Sequence, residues 1–136
     1  MKPRSAKLWE KLTRNSIPGI LCGIVILILT GIPGSLFPKV KPLFGLDKIV
    51  HVIMYAAFAF LCLWGYRDQF ISNGLRYRKK AITLTIIISI AYGGLTEIMQ
   101  ELLIPRRTGD WIDFAADVIG TGIGVIVFYL FFKNKK

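Results

Sequence analysis

Acidic residues lie inside two apolar segments of this sequence, where an ionisable side chain is hardest to accommodate. One segment holds Glu97 and Glu101 and contains no Lys or Arg; the next begins just after Asp110 and holds Asp113 and Asp117. A charged group at membrane depth costs roughly 2.5–3.5 kcal/mol on insertion scales, so such residues usually serve a function. The function of this protein is therefore expected to depend on these polar side chains.

The residue types suit proton chemistry better than metal binding. Glu97, Asp113 and His51 are the candidates for acid–base catalysis or proton handling, because carboxyl and imidazole groups can both be tuned to exchange protons near neutral pH. A single histidine without a dense ligand motif is a poor metal signature, so we predict no metal site and no cofactor. The sequence has no nucleophile elbow or phosphatase motif, which leaves open whether the protein is an enzyme.

A second set of residues suits the binding of a polar ligand. Arg107 is the main candidate for holding an anion, since guanidinium groups bind phosphate in a bidentate manner. The other candidates for ligand binding are Arg106, Gln100, Asp117, Asp47 and Lys48.

Several of these residues also have a purely structural explanation. Glu97 and Arg107 could form an intramembrane ion pair, which is costly to break by removing one partner. Asp110 suits the N-cap of a helix, and Asp113 would then lie in the first turn, where the helix dipole favours a negative charge. Asp117 lies too far into its segment to be a cap and needs a partner such as His51 or Arg107.

The elements that position these residues are long apolar blocks. The chain has 136 residues, of which 54% are hydrophobic, and four blocks stand out, at 17–37, 49–66, 81–104 and 112–132. About 20 helical residues cross a hydrocarbon core of roughly 30 Å. The sequence therefore predicts an all-α bundle of four transmembrane helices in one membrane domain (17–136), preceded by a basic cytosolic segment (1–16).

The positive charges predict the orientation of these helices. Thirteen Lys and Arg residues lie in the N-terminal segment, the second connection and the C-terminal tail, against five in the other two connections. The positive-inside rule places both termini in the cytosol, and it explains the net charge of +10 without a nucleic-acid partner. Apolar helices rather than a barrel predict residence in the inner (cytoplasmic) membrane.

Helical spacing brings the polar residues together at the outer ends of three helices. Glu97, Gln100 and Glu101 share one helical face, as do Asp110, Asp113 and Asp117 on the next helix. Glu97, Asp117 and His51 lie within about 6–10 Å of the outer ends of their helices, so an outward-facing polar pocket is expected.

Small residues recur every four positions along the last predicted helix. Ala116, Gly120 and Gly124 form a face that allows close packing on another helix, and this face is also a candidate for oligomer formation.

The polar motifs, taken in order, resemble those of the VanZ-like membrane proteins. The resemblance covers residues 46–124 and rests on four motifs, Asp47-Lys48-x-x-His51, Glu97-x-x-Gln100 followed by Pro105-x-Arg107, Asp113 six residues after that Arg, and Asp117-x-x-Gly120. One departure is Asp117, where the family usually has Asn.

This resemblance implies a four-helix layout and a role in the cell envelope, associated with resistance to the lipoglycopeptide teicoplanin. It supplies no reaction. The expected partners are the lipid bilayer and a polar or phosphate-bearing lipid-linked envelope component bound in the outward-facing pocket. A membrane enzyme acting on a lipid, a proton-coupled transporter or flippase, and a structural partner in an envelope complex are the alternatives.

Overall fold

The described residues of this protein are mostly helical. The computed structural model describes residues 4–33, 45–105 and 109–135, with side chains from Arg14 onward. Within these ranges there is no strand, and the five helices are α1 (Arg4–Thr30), α2 (Leu46–Trp64), α3 (Arg67–Ser72), α4 (Gly74–Leu103) and α5 (Trp111–Phe132). The predicted all-α fold is confirmed.

Three of the helices are long and apolar enough to cross a membrane, namely α2, α4 and α5. The apolar part of α1, Arg14–Thr30, is shorter. The predicted first block ran from 17 to 37, but α1 ends at Thr30, just before Gly31 and Pro33. Residues 34–44 lie outside the described part of the chain. The lengths and apolar composition of these helices are therefore those of a multi-pass membrane bundle.

Helix boundaries differ from the apolar blocks wherever polar residues continue a helix. α1 begins at Arg4, well before the apolar block at 17, so Pro18 lies inside the helix. α4 begins at Gly74, seven residues before the predicted block at 81. Arg, Lys and Ser are acceptable in helices, so a hydropathy boundary marks the lipid surface better than it marks a helix end.

Polar side chains lie inside the bundle and apolar ones cover its surface. Ile28, Ile87 and Ile126 are 62%, 57% and 59% exposed, whereas Thr96 and Gln100 are almost fully buried. This is the distribution expected where lipid surrounds the helices, because apolar side chains gain nothing by leaving lipid and polar ones need partners.

An aromatic cluster occupies the end of the bundle that is formed by α3 and the last turns of α5. Phe70 of α3 packs edge-to-face on Phe128, and Phe128 stacks on Phe132 with ring centroids 4.6 Å apart. Arg78 of α4 donates a hydrogen bond to the Phe70 carbonyl at 2.8 Å. The described polar candidates therefore lie at the opposite end, where α2 and α5 begin and α4 ends.

The small-residue face of α5 packs against α2 of the same chain. A Cβ atom added at Gly120 would collide with the backbone carbonyl of Val52, and one added at Gly124 would collide with that of Ala56. The prediction of close helix packing is confirmed. Within the chain this face is covered by α2, and the oligomer suggested for it stays a prediction.

Candidate functional site

The polar cluster consists of the described side chains of Lys48, His51, Glu97, Asp110, Asp113 and Asp117, and a histidine–aspartate pair lies at its centre. His51, in the second turn of α2, is 3% exposed, and Asp117 of α5 is 1% exposed. The Nδ1 atom of His51 and the Oδ1 atom of Asp117 are 2.8 Å apart. Of the two partners suggested by the sequence for Asp117, His51 is the one that the described structure provides. Asp117 also packs against Gly93 of α4, where an added Cβ would lie 3.0 Å from Oδ2.

Glu97 of α4 lies beside this pair with its two oxygens in different environments. Its Oε2 atom accepts a hydrogen bond from the backbone N–H of Asp110 at 2.9 Å. Its Oε1 atom lies 4.0 Å from His51 Nδ1, and it is buried without a hydrogen-bond partner in the described part of the chain. Gly109 makes this approach of the loop possible, because a Cβ there would lie 2.9 Å from the Glu97 carbonyl oxygen.

Lys48 binds carboxylates at the rim of the cluster. Its Nζ atom lies 2.8 Å from Asp113 Oδ1 and 3.4 Å from Asp110 Oδ2. Lys48 was predicted to help hold an anionic ligand, but here its charge is already matched by two acids. About a third of its side chain is exposed, so the pair lies where the cluster opens to the surroundings.

Asp110 is the N-cap of α5, as its position in the sequence predicted. Its Oδ1 atom accepts the backbone N–H of Ile112 at 2.9 Å. That hydrogen bond, together with the nearby Lys48 ammonium, lowers the pKa of the Asp110 carboxyl below its ordinary value. The carboxylate form is thus favoured at the start of α5, where the helix dipole also favours negative charge.

Gln100 bonds to α1 and makes no hydrogen bond to a carboxylate of the described residues. It is 2% exposed, and its Nε2 atom donates to the backbone carbonyl of Thr30 at 3.4 Å. The sequence analysis missed Thr96, whose hydroxyl lies 2.9 Å from that of Tyr55 and donates to the Gly93 carbonyl at 2.9 Å. The sequence does offer a sign of Thr96, because it is a polar residue directly before Glu97 in an apolar segment.

The remaining predicted residues lie at the edge of the cluster or outside the described ranges. Asp47 is exposed, with a carboxylate oxygen within 4.8 Å of donor atoms of both His51 and Asp113. Arg106 and Arg107 lie outside the described residues, so their binding role and the ion pair between Glu97 and Arg107 stay predictions.

Negative charge predominates among the described residues at this end of the bundle. Six of the eight acidic residues of the sequence lie at this end, namely Asp47, Glu97, Glu101, Asp110, Asp113 and Asp117. The described basic residues there are Lys48 and His51. A positively charged group is therefore the natural complement to this part of the site.

An apolar groove runs along the bundle toward the polar cluster. It has a volume of about 590 Å³ and lies between α1, α2 and α4, with Gly19, Gly23, Phe58 and Ile88 among the residues that line it. Its end nearest the cluster is at Tyr92, whose hydroxyl donates to the Gly23 carbonyl at 2.6 Å. Tyr92 is one helical turn from Thr96, so the groove approaches the polar cluster along α4.

The comparisons with known proteins supply one distant relative and no function. An uncharacterised protein of Schizosaccharomyces pombe is 24% identical over 112 residues, which is 82% of this chain. The chain spans 63% of the length of that relative. No protein-family model matches the chain, and no solved structure matches it. The resemblance to VanZ-like proteins stays a prediction.

Proposed function

We propose that the protein binds the polar headgroup of a lipid-linked cell-envelope component in the intramembrane polar cluster. The observation that carries this proposal is the environment of Glu97 Oε1, a buried carboxylate oxygen without a hydrogen-bond partner in the described structure. Burying such a group without a partner is unfavourable, so a polar ligand that reaches it would stabilise the folded protein.

The apolar groove supports an amphiphilic ligand in particular. It is lined mostly by apolar side chains, and it ends one helical turn from Thr96 in α4. A ligand with a hydrocarbon chain in the groove and a headgroup among the carboxylates would use both features. A small water-soluble ligand would leave the groove unexplained.

A phosphate-bearing headgroup needs positive charge, which the proposal assigns to the loop before α5. Lys48 is already paired with Asp113 and Asp110, so it contributes little free charge. Arg106 and Arg107 come three and four residues after the end of α4, and a guanidinium group binds phosphate in a bidentate manner. In this proposal Arg107 holds the phosphate while Glu97 and its neighbours orient the polar remainder of the headgroup.

We further propose that the chain crosses the cytoplasmic membrane four times, with both termini in the cytosol. The polar cluster then lies on the outer side of that membrane. The distribution of thirteen Lys and Arg residues against five supports this topology. Reporter fusions at the two termini and in the connection between α4 and α5 would test it. Termini on opposite sides of the membrane would contradict the four-span topology.

The binding proposal is tested by the lipids that purify with the protein. Wild-type protein, Glu97→Gln and Arg107→Ala would be isolated in a mild detergent, and the bound lipids would be measured by mass spectrometry. Asp68→Asn is the matched control, because Asp68 lies on the short helix α3 at the other end of the bundle and its side chain is 83% exposed.

We expect one lipid-linked species to be enriched with wild-type protein and Asp68→Asn and depleted in the two site variants. Identical lipid profiles for all four proteins would refute the binding proposal. The envelope role would be tested in parallel by the lipoglycopeptide susceptibility of cells expressing the same proteins at matched membrane levels. A shift in susceptibility that the site variants lose would support that role, and no shift with wild-type protein would contradict it.

A further inference from the structure

We propose that His51, Glu97 and Asp117 form a binding site for one divalent transition-metal cation, Zn²⁺ or Mn²⁺. The three residues come from α2, α4 and α5, and one donor atom of each lies within 4.8 Å of the others. All three side chains are buried. This site reverses the prediction from the sequence that no metal is bound, which rested on the presence of only one histidine.

The distances between the donor atoms suit a shared cation. His51 Nδ1 lies 2.8 Å from Asp117 Oδ1 and 4.0 Å from Glu97 Oε1. Ligands at about 2.0–2.2 Å from a tetrahedral metal lie roughly 3.4 Å from one another. The two observed distances fall on either side of that value, so small rotations of the three side chains would bring the donors into position.

The hydrogen bonding of the cluster is incomplete without such a ligand. His51 Nδ1 can share a proton with Asp117 Oδ1, but this leaves Glu97 Oε1 buried and unpartnered among the described residues. Glu97 is 8% exposed, so water has little access to it. A cation between the three donors would satisfy this oxygen, and its two positive charges would balance the two carboxylates beside a neutral imidazole.

The donor set favours a transition metal over Mg²⁺. Imidazole nitrogen suits Zn²⁺ and other first-row metals, and carboxylate oxygen suits Mn²⁺ as well, whereas Mg²⁺ prefers oxygen and retains several waters. Three protein ligands leave a further coordination position open, as in metal sites that bind a substrate. An oxygen atom of a headgroup could occupy that position.

A second possible set, formed by Asp47, His51 and Asp113, is less suitable. Asp47 is exposed, and Asp113 is already bonded to Lys48 at 2.8 Å. Recruiting Asp113 to a metal would break that ion pair. We therefore assign the cation to Glu97 and Asp117 together with His51.

Metal binding is measured on purified full-length protein without added lipid, so its outcome is independent of the lipid proposal. The protein would carry a purification tag without histidines, and it would be stripped with a chelator before titration with Zn²⁺, Mn²⁺ and Mg²⁺. His51 is the single histidine of the sequence, so ¹⁵N-histidine labelling gives a signal from this site alone. Calorimetry would supply the stoichiometry and affinity.

We expect one equivalent of Zn²⁺ to bind and to shift the His51 Nδ1 resonance, and Mn²⁺ to broaden the same resonance. Glu97→Gln and Asp117→Asn should each weaken binding by at least about 100-fold, since loss of a direct ligand exceeds the 10–100-fold effect of its supporting partners. The exposed control Asp68→Asn should bind as wild type does.

The proposal is overturned if wild-type protein binds neither Zn²⁺ nor Mn²⁺ at millimolar concentration, or binds them without moving the His51 resonance. Weakening by Asp47→Asn to the same extent as by Asp117→Asn would assign the cation to the other set of residues. If the site variants do not fold, the resonance of His51 in wild-type protein decides the question alone. Metal binding without any enriched lipid would leave this site in place and refute the lipid proposal.

Discussion

Replacing Gly120 by alanine should separate α2 from α5 and disturb the polar cluster. A Cβ atom at this position would collide with the backbone carbonyl of Val52, which, unlike a flexible side chain, cannot rotate away. Val52 follows His51 in the sequence, and Gly120 lies about one turn after Asp117. Any increase in the distance between the helices therefore lengthens the 2.8 Å contact of His51 with Asp117.

The size and sign of the effect follow from two opposing terms. Adding a methyl group to a tightly packed contact costs about 1–3 kcal/mol. Replacing glycine by alanine inside a helix gains about 0.5–1 kcal/mol. The difference is about 0–2.5 kcal/mol, and the collision with backbone places Gly120→Ala in the upper, destabilising part of that range. Gly122→Ala is the matched control, since a Cβ there meets nothing within 4 Å, so only the favourable term applies.

The assay is reversible unfolding in mixed detergent micelles, followed by circular dichroism, with the ¹⁵N resonance of His51 as a local probe. Gly120→Ala should unfold at a lower denaturant fraction and shift the His51 resonance. Gly122→Ala should be as stable as wild type or more stable, with His51 unchanged. Equal stability of the two variants would refute the argument that close approach of α2 and α5 at Gly120 positions the cluster.

Three further predictions concern individual polar contacts. A double-mutant cycle with Lys48→Met and Asp113→Asn should give a coupling free energy of about 0.5–1 kcal/mol. The value is modest because about a third of the Lys48 side chain is exposed. If thermal melting shows that the two substitutions are additive, the ion pair does not contribute to stability. The lowered pKa of Asp110 stabilises the folded protein above the ordinary aspartate pKa of about 3.9, and this contribution is lost as the pH falls through the native value. Between pH 6 and 3, the melting temperature should therefore fall less steeply for Asp110→Asn than for wild-type protein. Equal slopes would show that the Asp110 carboxyl does not contribute to the loss of stability at low pH. Tyr55→Phe should cost about 0.5–1.5 kcal/mol through loss of the hydrogen bond to Thr96, and an unchanged unfolding midpoint would show that the bond adds nothing.

The sequence alone determined the three long apolar helices and the faces on which the polar residues lie. Long apolar blocks predicted α2, α4 and α5, because helix length in a membrane follows from the thickness of the hydrocarbon layer. Periodicity placed Asp113 and Asp117 on one face of α5, and local hydrogen bonding identified Asp110 as its N-cap. These properties depend on residues within a few positions of each other.

The tertiary structure decided which of these groups meet. His51 and Asp117 are separated by 66 residues, and Lys48 and Asp113 by 65. No local pattern distinguishes these pairings from the alternatives, such as Lys48 on a phosphate or Gln100 beside the carboxylates. They follow from the close approach of α2 and α5 at Gly120 and Gly124, which fixes the register of the two helices. Once the helices are at that distance, a buried polar group can bond only to donors and acceptors inside the bundle, because lipid and apolar side chains provide none.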